Sequence, residues 1–284
     1  MRRFNIVEPR SIADACKIIG DDDEAKLIGG GTALLILIKQ GILLPKTLVN
    51  LKKITGATQI SYDPAHGLRI GGLTTIFDVE NSPAVRQHYP LLATACHVVA
   101  NIRIRNMATI GGNLAHADSQ SDPPAALVAL DASVELSKGK GVRQVKLSDF
   151  LIGSYETGLA RDEILTAVIV PRPAAHWKGT YVKFTTRSSE DRPCAGVAAW
   201  VRGVNGAAGE ARVVVGAVSP APVVLSEPIA AGQSLTADAI AAISRRAAAA
   251  VDPIDDLRGP ADYKRQIVQV LVRRALTECV GDSK

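Results

Sequence analysis

A chain of 284 residues with 47% hydrophobic residues is long enough for two domains and carries the material for a core in each. Its 33 basic and 28 acidic residues leave a net charge of +5 spread along the sequence, and aromatic residues make up only 4%. No Lys/Arg cluster longer than a pair is interleaved with stacking side chains, which argues against a nucleic-acid surface. The longest apolar run, Ala33 to Ile38, is too short to span a bilayer, so no membrane span is expected. The basic opening is followed by Glu8, Pro9 and Asp14 in place of an apolar signal core, and the expected location is cytoplasmic.

In chain order, Phe4 to Glu8 reads as an edge strand and Ser11 to Ile19 as a helix, with Ser11 as its N-cap and Gly20 ending it. The β-like run Ala25 to Ile28 enters Gly29-Gly30-Gly31-Thr32 and passes straight into an apolar helix, Ala33 to Lys39. Thr47 to Asn50 and Leu68 to Gly71 are short strands, the second leading to a helix at Ile76 to Asn81 capped by Thr75. Pro90 to Ala100 reads as a helix with proline at its first position. From Thr109 a short β-like run crosses Gly111-Gly112, and a further helix starts at Asp122-Pro123-Pro124. Strands follow at Ser133 to Leu136, Val142 to Lys146 and Glu163 to Val170.

Pro171-Arg172-Pro173 interrupts this pattern, since two prolines continue neither a ladder nor a helix, and a domain boundary is expected there. Beyond it Gly179 to Thr186, Gly196 to Arg202 and Arg212 to Val218 alternate as an antiparallel meander would. Helices at Thr236 to Ala250 and Pro260 to Cys279 close the chain. The fold class is α+β.

The side chains that carry most enzyme chemistry are dispersed. Cys16, Cys96, Cys194 and Cys279 show no CxxC spacing and read as single buried thiols. The five histidines form no HExxH or other i,i+4 ligand pair, and Gly-x-Ser-x-Gly is absent. What stands out is the pair of glycine-rich turns, each leading to a helix and neither holding a lysine. The first is not a dinucleotide fingerprint, because Leu34 stands where the third glycine of GxGxxG belongs, and it lacks the Gly-Lys-Ser/Thr of a P-loop. Taken alone it could be an ordinary tight turn.

Two such turns together suit one elongated ligand with a pyrophosphate held by backbone N–H groups. On this reading Gly111 and Gly112 take positive φ and come close to the ligand. Thr32, Thr109 and Asn113 are turn residues unless the loops converge. Asp122 reads either as a helix N-cap or as an acceptor for ligand hydroxyls.

The stretch TIGGNLAHADSQSDPPAALVALDA, the upstream YPLLATACHVVANIRIRNMA, the loop IGGGTALLILIK, the opening FNIVEPRSIADA and the terminal DYKRQIVQVLVRRAL resemble the FAD-binding medium subunit of molybdenum hydroxylases, the family of aerobic carbon monoxide dehydrogenase and xanthine dehydrogenase. The resemblance implies a two-subdomain FAD-binding domain of the vanillyl-alcohol-oxidase/para-cresol-methylhydroxylase type over residues 1–173, with subdomains of about 1–53 and 54–173. It implies a smaller C-terminal domain, an antiparallel sheet with helices, over 177–284.

By that match Leu27, Ile28, Gly29, Gly30, Gly31, Thr32, Ala33 and Leu34, together with Thr109, Ile110, Gly111, Gly112 and Asn113, cradle the FAD pyrophosphate. Asp122 binds its ribose or adenine side. Leu165 and Lys183 fall where the family has further flavin contacts, and Val99 stands where the xanthine branch has an aromatic one. Gly29 and Ala33 depart from the alanine and acidic residue more frequent in the family's first loop.

The resemblance also implies partners: a large subunit holding molybdopterin, where substrate is oxidised, and a small subunit whose [2Fe-2S] clusters pass electrons to the FAD and on to an external acceptor. The flavin carries that chemistry, so no catalytic acid or base is named. Lys183 and Arg187 are candidates for charge near the ring. A self-sufficient FAD-dependent oxidoreductase, a non-enzymatic dinucleotide-binding assembly subunit and a purely structural α+β protein remain as alternatives.

Overall fold

The computed structural model describes residues 3–139, 141–173, 176–204, 207–228 and 235–281. Among the described residues three larger sheets follow one another along the chain, and a two-stranded ribbon of Leu151–Gly153 and Glu156–Thr157 stands beside them. The first is parallel, with Thr47–Asn50 between the edge strands Asn5–Val7 and Ala25–Ile28. The Ile12–Asp21 helix covers it through Ala15, Cys16 and Ile19, which share a core with Ala25, Val49 and Leu51. Ser11 caps this helix, its Oγ accepting the Asp14 N–H at 3.1 Å. Gly20 does not end it: the helix continues to Asp21 and closes with the Asp22 N–H on the Ile18 carbonyl. Gly20 stays out of the left-handed region that a terminating glycine would use.

The second sheet is antiparallel, in the order Ile60–Asp63, Gly67–Gly71, Ile164–Val170, Ser133–Lys138, Gly141–Lys146. Its Leu68, Ile70, Val134, Leu136, Val168 and Val170 bury against the helices Ile76–Asn81, Pro90–His97 and Asp122–Ala129, forming the largest core. Thr75 caps the first of these helices, as its sequence position requires. The helix from Pro90 stops at His97, short of Ala100, which has φ of 41°. A short helix, Ile102–Arg105, then leads to Thr109.

Pro171 to Pro173 link this sheet to the third, a four-stranded antiparallel meander of Trp177–Phe184, Ala195–Val204, Ala207–Gly216 and Val223–Pro228. Side chains alternate across a strand, and here both faces are covered. Tyr181, Ala198 and Val214, cross-strand neighbours, turn toward the Asp122–Ala129 helix. Val197, Ala199, Val213 and Val215 turn toward the helices Ala237–Ala250 and Ala261–Gly281. Trp200 Nε1 donates to the Ala129 carbonyl at 2.7 Å, tying the meander to the end of the buried helix. Among the described residues no helix is long and apolar enough to cross a membrane.

Candidate functional site

The first glycine loop leaves the Ala25–Ile28 strand and enters the Leu34–Lys39 helix. Gly31 has φ of 74°, a conformation glycine adopts without the penalty a Cβ would bring. Gly30 lies flat on the other loop's approach. A Cβ there would stand 2.7 Å from the Met107 carbonyl carbon and 2.9 Å from the Ala108 Cα. Among the described residues the N–H groups of Gly30, Gly31, Thr32, Ala33 and Leu34 find no acceptor. A run of unpaired backbone donors on one short loop is a cradle for an acceptor-rich anion.

The second loop is built differently from the sequence expectation. Thr109 is the N-cap of a helix, Ile110–His116, so Gly111 and Gly112 lie in its first turn and neither has positive φ. Their amides are spent within the protein: Ile110 N donates to Thr74 O, Gly111 N to Gly72 O, Gly112 N to Thr109 Oγ1 at 3.1 Å and Asn113 N to Thr109 O. The reason Gly111 lacks a side chain is packing, because a Cβ would meet the Gly72 carbonyl oxygen at 2.6 Å. This turn therefore contributes surface and side chains, and the amide cradle belongs to the first loop.

The two loops border a groove of about 300 Å³. Leu27 to Leu34, Thr109, Gly111, Gly112, Asn113 and Leu165 all line it, so most of the expected contacts converge. Ile110 is fully buried and does not line it. The sequence reading missed the remaining lining residues: Leu37, Leu51, Gly72, Leu73, Ala108, Ala115, His116, Leu159 and Ile164. Only the Gly71-Gly72 pair after a strand offered a signal for any of them.

Asp122, Lys183 and Val99 lie outside the groove lining, and the first two meet in a separate buried cluster. Asp122 is the first residue of its helix and Ser121 occupies the cap position. Its Oδ1 accepts from the Tyr181 hydroxyl at 2.8 Å and its Oδ2 from Lys183 Nζ at 3.0 Å, while Lys183 also donates to the Val98 carbonyl at 2.8 Å. The Asp122 and Lys183 side chains are 4% and 6% exposed. Burial pushes the Asp122 carboxyl up to about 6, against the pull of Lys183 and of the Tyr181 hydroxyl. Val99 sits on the neighbouring turn, where Arg105 Nη1 donates to the Val99 and Ala100 carbonyls and Arg105 Nε pairs with Glu80 at 2.9 Å. Arg187 follows the Trp177–Phe184 strand in an exposed stretch. Among the described residues no three His, Cys, Asp or Glu side chains are placed to hold a metal ion.

The groove thus combines unpaired amides with walls of leucine and isoleucine, which fits a dinucleotide carrying a pyrophosphate between ring systems. Residues 2–173 match the family model for the FAD binding domain in molybdopterin dehydrogenase, and residues 180–279 match that for the CO dehydrogenase flavoprotein C-terminal domain. The chain belongs to this family of FAD-binding medium subunits of molybdenum hydroxylases, a class of oxidoreductase subunits.

Among its relatives are the nicotine 6-hydroxylase medium subunit of Paenarthrobacter nicotinovorans, 34% identical with 95% of each chain covered, and the carbon monoxide dehydrogenase medium chain of Hydrogenophaga pseudoflava, 31% identical with 96% of each covered. In three dimensions the chain is similar to carbon monoxide dehydrogenase from Hydrogenophaga pseudoflava, with a TM-score of 0.91 at 32% identity over 98% of this chain and 97% of that one. It is also similar to quinoline 2-oxidoreductase from Pseudomonas putida 86, with a TM-score of 0.89 at 27% identity over 98% and 97%.

Proposed function

We propose that this chain is the electron-transfer subunit of a three-subunit molybdenum hydroxylase. It receives electrons from [2Fe-2S] clusters of a small partner subunit, after substrate oxidation at a molybdopterin centre in a large one, and delivers them to an external acceptor. The observation that carries this reading is the first loop, whose five N–H groups without an acceptor belong to residues lining an apolar groove, in a chain of the FAD-binding family.

When bound there, FAD supplies the capacity to exchange electrons singly or in pairs, and the protein contributes orientation, electrostatics and exclusion of competing reactions. The amides of Gly30 to Leu34 would hold the pyrophosphate. The leucine and isoleucine walls keep water from the ring systems. Lys183 is held by Asp122 and the Val98 carbonyl, and Asp122 in turn by the Tyr181 hydroxyl, so this buried cluster ties the third sheet to the helix that follows the second glycine loop.

The test is to co-express the chain with its genomic neighbours, purify through a tag on this chain, and analyse flavin and metals. Near-stoichiometric FAD, with molybdenum, iron and two copurifying subunits, is the expected result. FAD without partners would overturn the electron-transfer reading in favour of a self-sufficient flavoenzyme, and no flavin in any state would overturn the groove as well.

A further inference from the structure

We propose that the outer face of the Leu34–Lys39 helix, with the turn that follows it, is the docking surface for the electron-donating iron-sulfur subunit. The proposal rests on the electron-transfer reading above and deepens it by placing that partner on named residues.

The helix reads Leu-Leu-Ile-Leu-Ile-Lys, apolar on every side. A helix apolar all round belongs inside a structure, within a core or against a second molecule. This one is enclosed on two sides only. Ile38 is buried in the protein, and Leu34 and Leu37 line the groove. Ile36 precedes Ile38 by two residues, about 200° around the axis, so it faces outward, and it is 52% exposed.

The turn after the helix enlarges this face. Gly41 has φ of 73°, and the N–H groups of Gly41 and Ile42 donate to the carbonyls of Ile38 and Leu37 at 3.1 and 3.0 Å. This is the glycine-terminated Schellman end of a helix, in which the residue after the glycine lies against the last full turn, here Ile36 and Leu37. Ile42 is nevertheless 69% exposed, and Leu44 beyond it 43%. Single exposed aliphatic side chains are ordinary, but three on one hydrogen-bonded turn form a patch.

Charge restricts what covers it. From Ala25 to Tyr62 the sequence holds five lysines and neither Asp nor Glu. Lys39 ends the helix and Lys46 follows Leu44 by two residues; Lys46 is paired with Glu24, whereas Lys39 has no carboxylate partner among the described residues. An apolar centre with a basic rim fits a protein surface that offers apolar side chains among carboxylates. A second copy of the chain does not fit, since a two-fold contact would set the same lysines against themselves. Nor does a lipid surface, for which one outward side of a six-residue helix and its turn offer little apolar area.

Position names the partner. Ile36 and the groove-lining Leu37 are neighbours on one helix, so a molecule seated on Ile36 lies about one helix width, ~10 Å, from the groove. A subunit that donates electrons to FAD must come that close. One that oxidises substrate at a molybdopterin centre need not.

The experiment uses the co-expressed complex with a tag on this chain. Carbodiimide, which joins an amine to a carboxylate without a spacer, should link Lys39 to an Asp or Glu of the small subunit, identified by mass spectrometry. Ile42→Asp should weaken retention of the small subunit about tenfold, with FAD content and melting temperature unchanged. Lys39→Glu should weaken it more at low salt than at high salt. Wild-type retention in both variants, or links from Lys39 to the large subunit or to a second copy, would overturn the proposal. So would flotation of the chain with phosphatidylserine vesicles that Ile42→Asp abolishes, which would make the face a membrane contact. The wild-type link and Ile42→Gln keep the proposal falsifiable if Ile42→Asp does not fold. A wild type that holds FAD but no partner would instead overturn the electron-transfer reading, and the docking face with it.

Discussion

Replacing Gly30 by alanine tests whether the first loop is shaped by its contact with the second. The new Cβ would fall 2.7 Å from the Met107 carbonyl carbon and 2.9 Å from the Ala108 Cα, and nearer still to the Met107 carbonyl oxygen. These are backbone atoms, so no rotamer change clears the overlap. Gly30 is outside the left-handed region, so alanine brings no torsional penalty and would gain about 0.4–1 kcal/mol from the stiffer unfolded chain. Overpacking costs about 1–3 kcal/mol, and against fixed backbone the upper part of that range applies.

The loop must therefore lift from Met107 and Ala108, which spreads the five unpaired amides and widens the groove. A net loss of about 1–2 kcal/mol in binding corresponds to FAD affinity falling roughly five- to thirtyfold. Fluorescence titration of the stripped chain reads it, with thermal unfolding in parallel. Gly112→Ala is the control, because its Cβ meets the Thr109 Oγ1 side chain at 2.7 Å and costs at most that cap, about 1 kcal/mol. If Gly30→Ala binds FAD like the wild type and melts at the same temperature, or if Gly112→Ala is the more damaging change, the packing argument is wrong.

The raised pKa of Asp122 predicts a pH dependence. Its folded value of about 6 lies above the ordinary value of 3.8, so the folded state holds the proton more tightly. The stability this confers is complete below pH ~4 and is lost as pH rises through ~6. Melting temperatures from pH 4 to 7 should fall more steeply in the wild type than in Asp122→Asn, and parallel curves would contradict this. Glu80→Ala removes the carboxylate that pairs with Arg105, whose side chain is 11% exposed. Stranding that guanidinium should cost about 3–5 kcal/mol by denaturant unfolding, while a loss below about 1 kcal/mol would show that the pair is solvated.

Much of the fold is legible because its ends carry local chemistry. Ser11, Thr75 and Thr236 each accept the N–H three residues on, as sequence position alone suggests. The meander is readable from alternation, although its fourth strand, Val223–Pro228, was missed because it lies half-exposed at the sheet edge. Ile60–Asp63 was missed for the same reason.

The second glycine loop misled for a physical reason. Two adjacent glycines suggest a turn, yet Thr109 with Ile110 and Leu114 four residues apart is also a capped helix with a buried face. What decides between them is a long-range partner. Gly72 and Thr74 accept the amides of that first turn, and the spacing within residues 109–113 contains no trace of either. The Asp122–Lys183 pair was likewise beyond local reading, since its two residues come from different sheets' neighbourhoods and meet only when the third sheet lies on the buried helix.

That third sheet has a consequence for how the chain can be inherited. Because Tyr181, Ala198 and Val214 complete the core of the preceding half, and Trp200 closes the end of its central helix, severing the chain at Pro171 to Pro173 would leave an oily face on both fragments. The two halves match separate family models yet share one core. Heat should melt them in one transition, and gene rearrangements that move one half without the other should be selected against.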